Sequence, residues 1–241
     1  MTDARTSRDL PETGRRRDDA ARRTAAILGD GPRLLPVEID GHSAGLRLIM
    51  QRMAQVNVAL DCPETAAVTD YLAADGRPEG ADAATAAALS EIVLTMVRHA
   101  ELFAVQTDVG IQLLARGTLS ARDRELAILR IGWLCRAPYE WGEHVLVAKR
   151  IGIGSEEIER VTHGAGAEGW SAHERAILRA VEELFEDAMI SDATWATLAA
   201  TLDERQLIEL PILVGQYQTV AYYQNALRLR LHNDNAGLTA R

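Results

Sequence analysis

The chain has 241 residues, 47% of them apolar and 25% charged, with a formal net charge of −9. This is the balance of a globular protein, and its acidity argues against nucleic acid as the main partner. No apolar run approaches the roughly 18 residues of a membrane span, so no membrane partner is expected.

Alanine, leucine and arginine dominate and aromatics make up only 5%, which favours helix throughout. Residues 1–24, dense in arginine and acid, are expected to be a disordered charged tail. Residues 29–41, GDGPRLLPVEIDG, read as an extended loop. Ser43 is placed to cap a helix to about Leu60, where Leu46, Ile49, Met50, Met53 and Val56 keep helical spacing. Pro63 breaks it, a short helix runs to Ala73, and DGRPEGAD is a loop. Residues 25–83 are thus expected to be an N-terminal helical extension. Helices are then predicted over 83–99, 100–115, 119–136, 138–150, 155–161, 171–188, 191–202 and 203–231, the last kinked at Pro211. Three capping boxes mark starts: Ser120 with Asp123, Ser171 with Glu174, and Asp203 with Gln206. Residues 84–231 form the main domain and 232–241 are expected to fray.

Chemistry concentrates in RDRELAILRIGWLCRAPYEWGEHV, which begins at Arg122. Pro138 opens a helix on which Glu140 and His144, four apart, share one face. An acid and an imidazole held together can move protons, although such pairs are also common on solvated helix faces. Glu125 lies in the first turn of the preceding helix, where acids are favoured by the helix dipole in any case. Tyr139 carries a hydroxyl able to donate to a developing enolate, or packs with its tip in water. Trp141 reads as core or pocket wall. Gly132, two turns beyond Glu125, permits a helix or ligand to approach the backbone. Gln216, Tyr217, Tyr223 and Asn225 are polar groups on an apolar helix, fit either to line a pocket or to bond within the bundle.

The two cysteines, Cys62 and Cys135, stand in no metal spacing. They fit a reducing cytoplasm and give no disulfide framework. Glu125, Glu140 and His144 are of a type to ligate zinc or iron, but there is no HExxH and no second histidine nearby, so no metal is expected.

These residues resemble the carboxymuconolactone decarboxylases and their relatives, the alkyl hydroperoxidase D-like proteins. The peroxidase branch carries E-x11-C-x2-C-x3-H. Counted back from His144, Glu140 stands at the second cysteine, Ala137 at the first, and Glu125 at the glutamate. The glutamate and histidine are kept and both redox cysteines are gone, so the chain looks like a non-redox branch with the pattern YEWxxH. The likeness runs over roughly 91–231, through RHAELF, LLARGTLSARDREL, YEWGEHV, SDATWATL and GQYQTVAYYQNAL.

The resemblance implies an all-α helical bundle of that type, with 84–231 as the family domain. It implies a homo-oligomer (trimer, dimer or hexamer) acting on a small-molecule substrate without cofactor. The expected function is a lyase, decarboxylase-like, on a small oxygenated acid or lactone. His144, Glu125, Glu140 and Tyr139 would be its catalytic set, and Trp141, Gly132, Gln216 and Tyr217 its substrate-binding set. A non-catalytic ligand-binding or scaffold member and a thiol-dependent peroxidase are the alternatives.

Overall fold

A computed structural model describes residues 12–37, 43–60, 91–232 and 234–241. Among them every regular element is a helix and none is a strand, the all-α architecture expected. The helices are α1 (Glu12–Leu28), α2 (Ser43–Leu60), α3 (Glu91–Met96), α4 (Ala100–Ala115), α5 (Ala121–Leu134), α6 (Pro138–Arg150), α7 (Ser155–His163), α8 (Ala172–Asp187), α9 (Asp192–Ala199) and α10 (Glu204–Leu227). Short 3-10 turns follow α3 (Val97–His99) and α10 (Gly237–Thr239). The helix, loop and helix start predicted within 61–90 lie outside the described residues. Among the described residues no helix is long and apolar enough to cross a membrane.

The chain forms two compact units. One comprises α1, residues 121–201 and residues 217–241; the other comprises 33–120 and 202–216. In the second, α2 packs along α4, and Val37 N–H donates to the Leu94 carbonyl at 3.0 Å. Glu209, on the part of α10 in this unit, accepts from the Thr118 amide at 2.6 Å and the Thr118 hydroxyl at 2.7 Å. The Asp203–Gln206 box forms as read, each side chain bonding the other's backbone N–H at 2.9 Å.

The first unit is organised around α5. Leu126, Ala127, Ile128, Leu129 and Ile131 are all buried, so this helix is apolar on most sides and is enclosed by α6, α7 and α8. Ser171 caps α8 in the predicted box, and Ala188 ends that helix in the left-handed region at φ 56°.

Two expectations at the ends are corrected. Residues 12–24 are not a disordered tail but part of α1, whose alanines and arginines are strong helix formers. Ala20 is buried, and Thr24 Oγ1 accepts from the Leu238 amide at 3.3 Å. Residues 234–241 do not fray. Leu238 and Asn235 are buried, the Arg241 guanidinium pairs with Glu159, and it lies over Trp133 and Trp141 at 5.2 and 5.5 Å. Gly142 makes this seating possible, since a Cβ there would fall 1.7 Å from Asn235 Oδ1.

Candidate functional site

The turn between α5 and α6 builds the site. Arg136 adopts a left-handed conformation at φ 50°, and Ala137 is extended. The Ala137 amide returns to the Gly132 carbonyl at 3.0 Å, closing α5, and Pro138 starts α6 where no N–H is needed. Glu140 therefore sits in the first turn of α6, where the helix dipole favours its carboxylate. Gly132 lets α6 lie close: its built Cβ would meet Trp141 N and Glu140 Cγ at 3.8 and 3.9 Å. Those are ordinary contacts, so the approach is close without requiring glycine.

His144 lies one turn further along α6, between two carboxylates. Its Nδ1 is 2.7 Å from Glu125 Oε2, and its Nε2 is 3.2 Å from Glu140 Oε1. Glu125 is wholly buried, and Glu140 and His144 nearly so. Each carboxylate has a second partner. Arg124 Nε donates to Glu125 Oε1 at 3.0 Å, and Gln224 Nε2 donates to Glu140 Oε2 at 2.8 Å. The result is a continuous polar chain, Arg124–Glu125–His144–Glu140–Gln224, inside one unit.

Both ring nitrogens face acceptors, so both carry a proton in the arrangement that satisfies the chain. Burial pulls the His144 pKa down, but the charges and hydrogen bonds of Glu125 and Glu140 outweigh it and hold it up at about 10. The imidazole is therefore cationic at neutral pH. Tyr217, on α10, stands edge-on to this ring with centroids 4.9 Å apart. Burial and then the charges of Glu140 and Glu125 push its phenol pKa well above the ordinary value, keeping the hydroxyl protonated.

Not every predicted site residue joins this group. Tyr139 is buried, and its ring packs edge-on to His232 at 6.2 Å. Its carbonyl accepts from Asn235 at 2.9 Å. Trp141 is fully buried, tilts against Trp133 at 5.0 Å and donates to the Ala240 carbonyl at 3.0 Å, a wall that fixes α6. Gln216 belongs to the other unit, where it donates to the Gln106 carbonyl at 3.4 Å. Asn225 donates to the Cys135 carbonyl at 3.3 Å. Burial and then the charge of Glu140 push the Cys135 thiol up to about 11.

Two members of the polar chain were missed by sequence reasoning, Arg124 and Gln224. Gln224 had a signal: it lies seven residues beyond Tyr217, on the same stripe of α10 as buried Ala221. Arg124 had none beyond its adjacency to Glu125. Among the described residues no group of three or more His, Cys, Asp and Glu side chains has a geometry suited to a metal ion.

Residues 100–183 match the carboxymuconolactone decarboxylase family. Over this segment the chain is similar to that family. The segment carries Glu125, Glu140 and His144, while Tyr217 and Gln224 come from beyond it. The fold is also that of a crystal structure from Agrobacterium tumefaciens, a protein of unknown function for which an antioxidant defence role as AhpD has been suggested. The two share 18% identity at a TM-score of 0.54, over 57% of this chain and 95% of the other. No curated protein matches the chain.

Proposed function

We propose that the protein is a cofactor-free lyase, decarboxylase-like or performing related proton transfer, acting on a small oxygenated organic acid or lactone. One observation carries this reading: a cationic imidazole buried between two carboxylates from two helices. Such a group is an acid at neutral pH, not a base. Loss of CO2 from a substrate breaks a C–C bond and leaves its electron pair as an enolate. His144 Nε2 then gives its proton to the enolate carbon, a C–H bond forms, and a proton from water restores the imidazolium. The weaker 3.2 Å contact to Glu140 marks Nε2 as the nitrogen a substrate would take over, while Glu125 at 2.7 Å holds the ring. The neutral Tyr217 hydroxyl, rather than that of Tyr139, is the better donor to the enolate oxygen, because its ring stands against His144.

The absence of the cysteine pair supports proton rather than thiol chemistry. The one described thiol, Cys135, sits where burial disfavours a thiolate. A non-catalytic ligand-binding or scaffold role is the second reading. It is favoured by the fact that both His144 nitrogens already have carboxylate partners.

On the leading reading the chain works in the cytoplasm as a homo-oligomer, a trimer, dimer or hexamer. In the single chain Leu102 and Val105 on α4 and Ile208 and Ile212 on α10 are all more than half exposed, a cost that a second copy would relieve. The deciding experiment measures CO2 release and solvent deuterium uptake with β-keto acids and carboxylated lactones, carboxymuconolactone included. Turnover lost in His144→Ala supports the lyase. Binding of an acid by the wild type without any turnover would move the reading to the scaffold.

A further inference from the structure

The polar chain through His144 has an open end. Gln224 is 3% exposed, and its amide nitrogen is spent on Glu140. Its carbonyl oxygen, Oε1, is buried and has no hydrogen-bond partner among the described residues. The orientation of this amide is not free. Turning it over would set the carbonyl against the Glu140 carboxylate, two acceptors face to face, and would waste the donor. An acceptor is thus held in place beside the Glu140–His144 pair by the same carboxylate the chemistry uses. A buried carbonyl without a donor is costly, and sites keep such groups for a ligand that supplies the donor.

We propose that Gln224 determines specificity at this site: it positions Glu140 through its nitrogen and accepts a hydroxyl of the substrate at its oxygen, so that the substrate is a hydroxy acid or hydroxy lactone. The inference rests on the lyase reading for its location and narrows the substrate class. The hydroxyl donates to Oε1 while the carbon to be protonated faces His144 Nε2, and Gln224 itself exchanges no proton. A substrate without the hydroxyl would leave Oε1 buried with no donor, which is how polar sites reject deoxy analogues.

The test is equilibrium binding by titration calorimetry to the full chain. The probes are compounds paired with and without one hydroxyl: lactate and propionate, malate and succinate, 3-hydroxybutyrate and butyrate, and β-hydroxy-γ-butyrolactone and γ-butyrolactone. The wild type should prefer the hydroxy member of at least one pair by about 10-fold or more. Gln224→Met, which offers neither donor nor acceptor, should reduce that preference to within about twofold. Gln224→Glu, which shares a proton with Glu140 and keeps an acceptor, should retain most of it. A wild type that distinguishes no pair overturns the assignment without recourse to any variant, and leaves water as the partner of Oε1. A preference that survives intact in folded Gln224→Met overturns it as well. The lyase reading fails separately. Hydroxyl discrimination without turnover would remove the lyase and keep this assignment, whereas turnover without discrimination would do the reverse.

Discussion

A glutamate followed four residues later by a histidine occurs on two consecutive helices of this chain. On α6 the pair is Glu140 and His144, 3.2 Å apart, with both side chains under a tenth exposed. On α7 it is Glu159 and His163, 3.6 Å apart, with the histidine side chain 36% exposed. The spacing is the same, and so is the local chemistry. What differs is the surroundings. The first pair lies under α10 and meets a second carboxylate, Glu125, from α5. In the second only the histidine is exposed, and its part-buried glutamate is also bonded to Arg241. A pair becomes a candidate proton-transfer site through burial of its histidine and a second carboxylate on the other ring nitrogen, neither of which the i,i+4 spacing supplies.

The comparison is broken most forcefully by turnover. Once a substrate is in hand, His144→Ala should lower kcat by roughly 10²–10⁴-fold, whereas His163→Ala should leave it within about twofold. Equal losses from the two would erase the distinction. Stability should follow the same division. Glu125→Leu leaves a cationic imidazole and Arg124 facing an apolar group, and urea unfolding at pH 7 should show a loss of about 3–5 kcal/mol. His163→Ala, at an exposed pair, should cost about 1 kcal/mol or less in the same assay.

The pH dependence sharpens the contrast. The folded pKa of His144, about 10, lies above the unfolded value of roughly 6.5. Its contribution is therefore complete below about pH 6.5 and is lost as pH rises through about 10, with a slope approaching about 1.4 kcal/mol per pH unit between them. In His144→Gln the unfolding free energy should decline less steeply over that window. An unchanged slope would count against a charged, buried imidazole.

Two glycines give smaller effects than Glu125→Leu, and in the opposite order. Gly164, which ends α7 beside the surface pair, has φ 82°, and its Cβ would fall 2.2 Å from Glu182 Oε1 and 2.5 Å from an Arg130 nitrogen. Gly164→Ala should cost about 2 kcal/mol or more by thermal unfolding, from strain and the disturbed ion pair together. Gly132→Ala, beside the candidate site, should change stability by about 1 kcal/mol or less, because its Cβ meets only ordinary contacts and the helix gains a better former.

Much of this was legible in the sequence, for identifiable reasons. Helices α4 to α10 follow from apolar spacing and caps, and the Ser171–Glu174 and Asp203–Gln206 boxes form with the bonds their residue types suggest. Glu125, Glu140 and His144 were found through a family pattern, and the structure brings all three within hydrogen-bonding reach. The ends were misread because their order is non-local. Residues 12–24 look like a solvated charged run until Leu238 bonds to Thr24, and 234–241 are pinned by Asn235 and by Arg241 stacked on two tryptophans. Neither arrangement leaves a periodic trace in the chain. Of the polar residues first chosen on α10, Tyr217 stands against His144, while Gln216 and Asn225 sit one position from its stripe. Tyr217 and Gln224 occupy that stripe. A single-residue offset on a helix moves a side chain by about 100°, and periodicity in a helix apolar on most sides does not resolve it.

The central claim is that His144 is a buried cation clasped by two carboxylates. It is tested most directly by NMR titration of histidine ring carbons in the full chain, with the His144 signal assigned by its loss in His144→Gln. The account predicts that this imidazole keeps its charge through neutral pH and releases its proton only near pH 10. A midpoint at the ordinary histidine value of about 6.5 would contradict it.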